Sequence, residues 1–315
     1  MSIRTLLLLV IGLPALLIAG AITAGLTIPV PEWGRDYVLR FALGAEGGKV
    51  ELPVVEGPDD PERPLVVIDA GHGGRDPGSI GTASDGTEVL EKDVVLEIAL
   101  AVRDELLEGG GIRVALTRED DRLLPLPDRP EIARLLAADL FLSIHADSAG
   151  ERSDVRGASI YTLSNEASSE AAARFAAREN NADIVNGLGI EGESEAVSNI
   201  LVELAQQRTQ EDATEFSSLI LREGGEMLAF HPQSQRSAAL AVLRAPDVPG
   251  VLFESGFVTN QADRARLTTA EGRAIYATVL AQAIRVYLRA ARIHPKRPDR
   301  VAAFATISPK TLQIG

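Results

Sequence analysis

Apolar residues fall along this chain in three kinds of run. The first, Leu6 to Leu26, is almost unbroken; Arg4 is the single charge before it, and no acidic residue occurs until Glu32. About 20 apolar residues suffice to cross a bilayer, and Ala19-Gly20-Ala21 offers a small-residue cleavage site, so residues 1–28 are expected to be an export signal or an N-terminal anchor. The second kind is short and β-branched, as in Leu65-Val66-Val67-Ile68, and recurs at Ile112 to Leu116, Leu140 to Ile144, Gly157 to Leu163 and Val248 to Phe253. These are predicted as buried strands. The third kind has a helical period: Val94, Val95, Ile98, Ala99, Val102 and Leu106 between Asp93 and Glu108, halted by Gly109-Gly110-Gly111. Pro130 to Ala138, Glu166 to Asn181 and Thr269 to Ala291 are the other predicted helices.

Strands alternating with helices predict an α/β fold, an open, mostly parallel twisted sheet flanked by helices, with its chemistry where strands end in loops. Glu191 to Ala239 breaks the rhythm with two helical stretches, Glu193 to Arg208 and Thr214 to Met227, and is expected to be a helical regulatory insertion (191–239) within a body spanning 64–291. Scattered prolines and the acidic Glu56-Gly57-Pro58-Asp59-Asp60 mark 29–63 as a tether, and the proline-bearing, basic 292–315 as a flexible tail.

Composition narrows the chemistry. A formal charge of -14 argues against a protein that works by neutralising nucleic-acid phosphates. With no cysteine there is no disulfide framework, thiolate metal site or cysteine nucleophile, so a metal must sit on carboxylates and the four histidines. His72 follows a predicted strand within Asp69-Ala70-Gly71-His72-Gly73-Gly74, whose glycines leave room beside an imidazole. His145 ends Phe141-Leu142-Ser143-Ile144 in a matching place. Two strand ends of one sheet can bring two histidines together, and Glu88, Glu91 or Asp93 offers a third ligand. Glu254, emerging from Val251-Leu252-Phe253, is a carboxylate on a buried strand and a candidate general base with a raised pKa. The glycine-rich loop lacks dinucleotide-fingerprint spacing and a P-loop lysine, and Ser79, Ser143 and Ser255 sit in no G-x-S-x-G elbow.

Four ordered segments carry a resemblance: Val67 to Gly78, Glu91-Lys92-Asp93, Ser143-Ile144-His145-Ala146-Asp147, and Val251 to Asn260. Together they resemble the zinc-dependent N-acetylmuramoyl-L-alanine amidases of bacterial cell-wall metabolism over roughly 64–291. The resemblance implies a Zn2+ cofactor on His72, Glu91 and His145, catalysis by Glu254, and peptidoglycan as substrate in the bacterial cell envelope, either periplasmic or tied to the inner membrane. The alternative is a noncatalytic wall-binding protein on the same fold. Two departures stand out: Asp147 replaces the family's usual asparagine after His-Ala, and the loop from His72 to Glu91 is longer than usual. The insertion resembles that of division-associated members, in which a helical segment covers the zinc cleft until a protein activator moves it. On that basis Glu193, Glu195 or Glu191 is expected to fill the open zinc position at rest.

Overall fold

The structure, a computed structural model, describes residues 50–182 and 199–293, the side chains of 199–207 and 292–293 excepted. Six strands form one sheet in the order β4-β1-β5-β8-β6-β7: β1 (Leu65–Ala70), β4 (Arg113–Leu116), β5 (Leu140–Asp147), β6 (Ala158–Leu163), β7 (Phe230–Ala238) and β8 (Gly250–Phe257). The first four in spatial order are parallel, whereas β6 runs antiparallel to β8 and parallel to β7. A small hairpin, β2 (Ile80–Thr82) and β3 (Glu88–Leu90), rises from the loop after β1. In the segment expected to be a tether, Glu56 exchanges two backbone hydrogen bonds with Val114 and covers the free edge of β4.

Alternation along each strand sorts the sheet into two faces. Val66, Ile68, Leu142, Ile144, Val251 and Phe253 pack against α1 (Glu91–Gly109), α4 (Asn199–Gly224) and α6 (Ala270–Ile293). Leu65, Val67, Phe141, Tyr161 and Leu252 pack on the other face, against α2 (Asp128–Leu135) and α3 (Glu170–Asn180). The remaining helix, α5 (Gln261–Thr268), is capped by Asn260, whose side chain accepts from the amides of Ala262 and Asp263.

The expected mostly parallel sheet and its flanking helices are present, with differences that have physical causes. β5 and β8 run on through His145 and Glu254 rather than stopping before them, because polar side chains there point into a shared site and the ladder continues beneath. The predicted closing helix, Thr269 to Ala291, is α6, and a short helix the apolar pattern did not announce, α5, precedes it, separated by Thr269, whose backbone is extended. Within the insertion, the two helical stretches are one helix from Asn199 onward, and its tail is not helical: Phe230–Ala238 is the edge strand β7. Its sequence, mostly polar with a proline, suits a half-exposed edge and hides the strand from a search for apolar runs. Residues 191–198 lie outside the described residues, as do the apolar run 6–26 and the tail from 294. Among the described residues no helix is long and apolar enough to cross a membrane.

Candidate metal centre and catalytic carboxylate

On the second face, apolar side chains give way to polar ones toward the carboxyl ends of the three central strands: Leu65 and Val67 to Asp69, Phe141 to Ser143 and His145, Leu252 to Glu254. The chain leaves β1 toward β4 on one side and returns to β5 on the other, and a ligand crevice opens at such a reversal of strand order. His72 and His145 meet there, ring centroids 5.0 Å apart.

His72 is held from both ends. Its backbone sits at φ 59°, a left-handed conformation uncommon for a residue with a side chain. Two buried arginines fix that turn: Arg118 donates to the carbonyls of Ala70 and Gly71, and Arg129 to those of Ala70 and His72. Arg129 also pairs at 2.8 Å with Asp69, which accepts from Thr117 and Ser143 as well. Burial alone would raise the Asp69 pKa, but Arg129 and the two hydroxyls outweigh it and lower it. A Cβ at Gly71 would run into the His145 ring, so the close approach of loop and ring requires glycine.

The donor atoms converge. His72 Nδ1 is engaged by Asp76 at 2.8 Å, which turns Nε2 inward; that buried nitrogen has no hydrogen-bond partner. Glu91 Oε1 lies 3.1 Å from His72 Nε2 and 3.0 Å from His145 Nδ1, and also accepts from the Ala146 amide. Its second oxygen accepts from the amide of Ser79. Glu91 stands in the first turn of α1, where the helix dipole favours an anion. Burial would lower the His72 pKa, yet the Glu91 charge and the Asp76 hydrogen bond carry it well above the ordinary value. Burial would raise the Glu91 pKa, yet the two imidazoles hold it well below.

A fourth donor was not anticipated. Glu179, near the end of α3, places Oε2 3.6 Å from His72 Nε2 and 3.5 Å from His145 Nδ1, and His72, His145 and Glu179 form a cluster able to hold a metal ion. The candidates Glu191, Glu193 and Glu195 lie outside the described residues. The sequence did carry a signal for Glu179. Ala172, Phe175 and Ala176 form the buried stripe of α3, and Glu179 takes its next position, where an apolar residue was due. Glu88 and Asp93, the rival ligands, are exposed.

Glu254 is buried beside this centre, opposite His145 in the ladder, and neither carboxylate oxygen has a hydrogen-bond partner. Burial and the charges of Asp147, Glu91 and Glu179 push its pKa well above the carboxylate range, with Arg178 opposing. Ser143 is committed to Asp69, which removes it as a nucleophile.

Residues 66–286 match the family model for N-acetylmuramoyl-L-alanine amidase. The chain belongs to this family. It is 40% identical over 224 residues to the amidase AmiA of Escherichia coli, covering 71% of this chain and 75% of that one. With AmiC of Neisseria meningitidis it shares 36% identity over 227 residues, 72% of this chain but 53% of the relative, so it spans about half the length of that amidase. Among solved structures, AmiC2 of Nostoc punctiforme aligns with a TM-score of 0.51 at 29% identity, covering 72% of this chain and 98% of that one. The catalytic domain of the amidase CwlV from Paenibacillus polymyxa gives 0.50 at 26%, with the same two coverages. Every site residue named above lies within the matched amidase region.

Proposed function

We propose that the protein is a zinc-dependent N-acetylmuramoyl-L-alanine amidase of the bacterial cell envelope, held closed at rest by α3. The observation that carries this reading is the convergence of His72 Nε2, His145 Nδ1 and a Glu91 oxygen beside an unpartnered buried carboxylate, Glu254. Two imidazoles and a carboxylate suit zinc, and the Asp76 contact is the outer hydrogen bond that orients a ligand histidine. When bound there, zinc supplies Lewis acidity, lowering the pKa of a water and polarising a carbonyl. Glu254 takes the proton of the water that attacks the lactyl carbonyl of the muramic acid unit, then delivers it to the departing L-alanine nitrogen. Its raised pKa makes the carboxylate a stronger base for the first transfer, and the carboxyl group so formed is the acid for the second. The reaction is direct hydrolysis, with no covalent enzyme intermediate.

Glu179 is the resting occupant of the position that substrate and water need. Three other contacts hold α3 over the site: Phe175 stacks on Tyr161 at 4.4 Å, Arg178 pairs with Asp147 at 2.8 Å, and the Asn180 side chain bridges Ala239 and Ala241. Moving α3 falls to an activating protein of the division machinery, and the apolar run Leu6 to Leu26 delivers or tethers the chain to the envelope. The test is release of stem peptides from purified peptidoglycan by the zinc-loaded chain and by Glu179→Ala. Cleavage at the muramoyl-L-alanine bond that rises at least tenfold in the variant is expected. Zinc occupancy with no cleavage by either protein would instead favour a wall-binding role.

A further inference from the structure

We propose that Arg236 forms a subsite for a carboxylate of the leaving peptide, so that the enzyme prefers acidic stem peptides to their amidated forms. This rests on the amidase reading and deepens it. Arg236 stands on β7 opposite Tyr161 of β6, which stands opposite Leu252 of β8. Glu254 is two residues beyond Leu252 and so projects from the same face as Leu252 and Tyr161. Two strand spacings of about 4.8 Å and one two-residue step of about 6.6 Å put the Arg236 and Glu254 backbones roughly 12 Å apart. An extended peptide advances about 3.3 Å per residue. With its scissile bond at Glu254, a peptide crossing toward β7 therefore brings its second or third residue within reach of the arginine side chain.

The state of the guanidinium points to an anion. Nη1 donates to the Tyr161 hydroxyl at 2.9 Å, Nη2 contacts His231 Nδ1 at 2.9 Å, and Nε donates to the Gln233 carbonyl at 2.8 Å, so among the described residues its partners include no carboxylate. Two other arginines of this face are already paired with carboxylates: Arg129 with Asp69, and Arg178 with Asp147 and Glu179. Arg236 is also oriented in advance. Its guanidinium lies over the Tyr161 ring, 5.7 Å from the centroid, and Phe175 of α3 covers another part of that ring. Lifting α3 uncovers Tyr161 beside a planar fork suited to a carboxylate.

The test uses the full zinc-loaded chain carrying Glu179→Ala and Glu254→Gln, open but unable to turn over. Calorimetry compares its binding of an N-acetylmuramoyl-L-alanyl peptide with free carboxylates and of the same peptide amidated. The acid form is expected to bind roughly 10- to 100-fold tighter, the range of a hydrogen bond between charged groups. Adding Arg236→Gln should erase that preference while leaving the amide form bound as before, and Arg236→Lys should keep part of it. No preference in the parent, an unchanged preference in Arg236→Gln, or no binding of either peptide would each overturn the subsite. Hydrolysis by Glu179→Ala with Glu254 intact tests the amidase reading separately, whichever way the binding ratio falls.

Discussion

Glu254 has surroundings that favour its proton, and that is what its role demands. Replacing it with glutamine keeps size and packing but removes the titrating oxygen. Glu254→Gln should retain zinc stoichiometry, checked by atomic absorption, while hydrolysis falls by about 10²- to 10⁴-fold, the usual contribution of a positioned acid or base. Near-normal turnover would exclude the proton-transfer role. Asp69 and Arg129 act one step further back, holding the His72 turn. Breaking a buried pair from one side costs about 3–5 kcal/mol, so Asp69→Asn should lower the denaturant midpoint markedly at neutral pH. The pH dependence has a definite sign. Because the folded-state pKa of Asp69 lies below its unfolded value, its stabilisation is present above the ordinary aspartate range and is lost as pH falls through the depressed value. The stability gap between the wild type and Asp69→Asn, both in chelator, should therefore narrow as pH drops below about 4. A gap that is constant or grows in acid would show that Asp69 is not the anion the network requires.

At the scale of elements, α3 packs over the site through one stripe: Ala172, Phe175 and Ala176 are buried, and Glu179 reaches the histidines. Phe175→Ala removes the stack on Tyr161 without touching any metal ligand. It should raise basal peptide release several-fold, because a weakened α3 leaves the site open more of the time; unchanged release would place the restraint elsewhere. The same element marks where sequence reading succeeds and where it stops. Helix α1 was legible because six apolar residues keep its period and three glycines end it, and His72, His145 and Glu254 stood out because they follow β-branched apolar runs, although β5 and β8 continue past the last two. Glu179 was passed over because a lone glutamate at a helix end reads as solvated until the helix is seen to cover a site. β7 was hidden because an edge strand needs little apolar surface. Arg118 and Arg129 act on carbonyls 47 to 59 positions away, and no local pattern announces such a contact.

For the molecule as a whole, the candidate metal site joins pieces far apart in sequence: the loop after β1, the start of α1, strand β5 and the end of α3. A ligand that binds only the folded chain stabilises it by mass action, about 4 kcal/mol when free zinc is a thousand times its dissociation constant. For a domain of this size each kcal/mol moves the melting temperature by about 2–4 °C, so removing zinc with a chelator should lower it by roughly 10 °C, and zinc should restore it. The variants separate the donors. His72→Ala should abolish most of the shift, because it deletes the inward nitrogen that Asp76 holds in place. Glu179→Ala should keep most of it, because His72, His145 and Glu91 still surround the ion while water replaces the fourth donor. The calorimetric melting curve thus divides ligands that build the site from the one that closes it. A full shift in His72→Ala would place the stabilising metal elsewhere, and a lost shift in Glu179→Ala would make α3 part of the site's foundation instead of its cover.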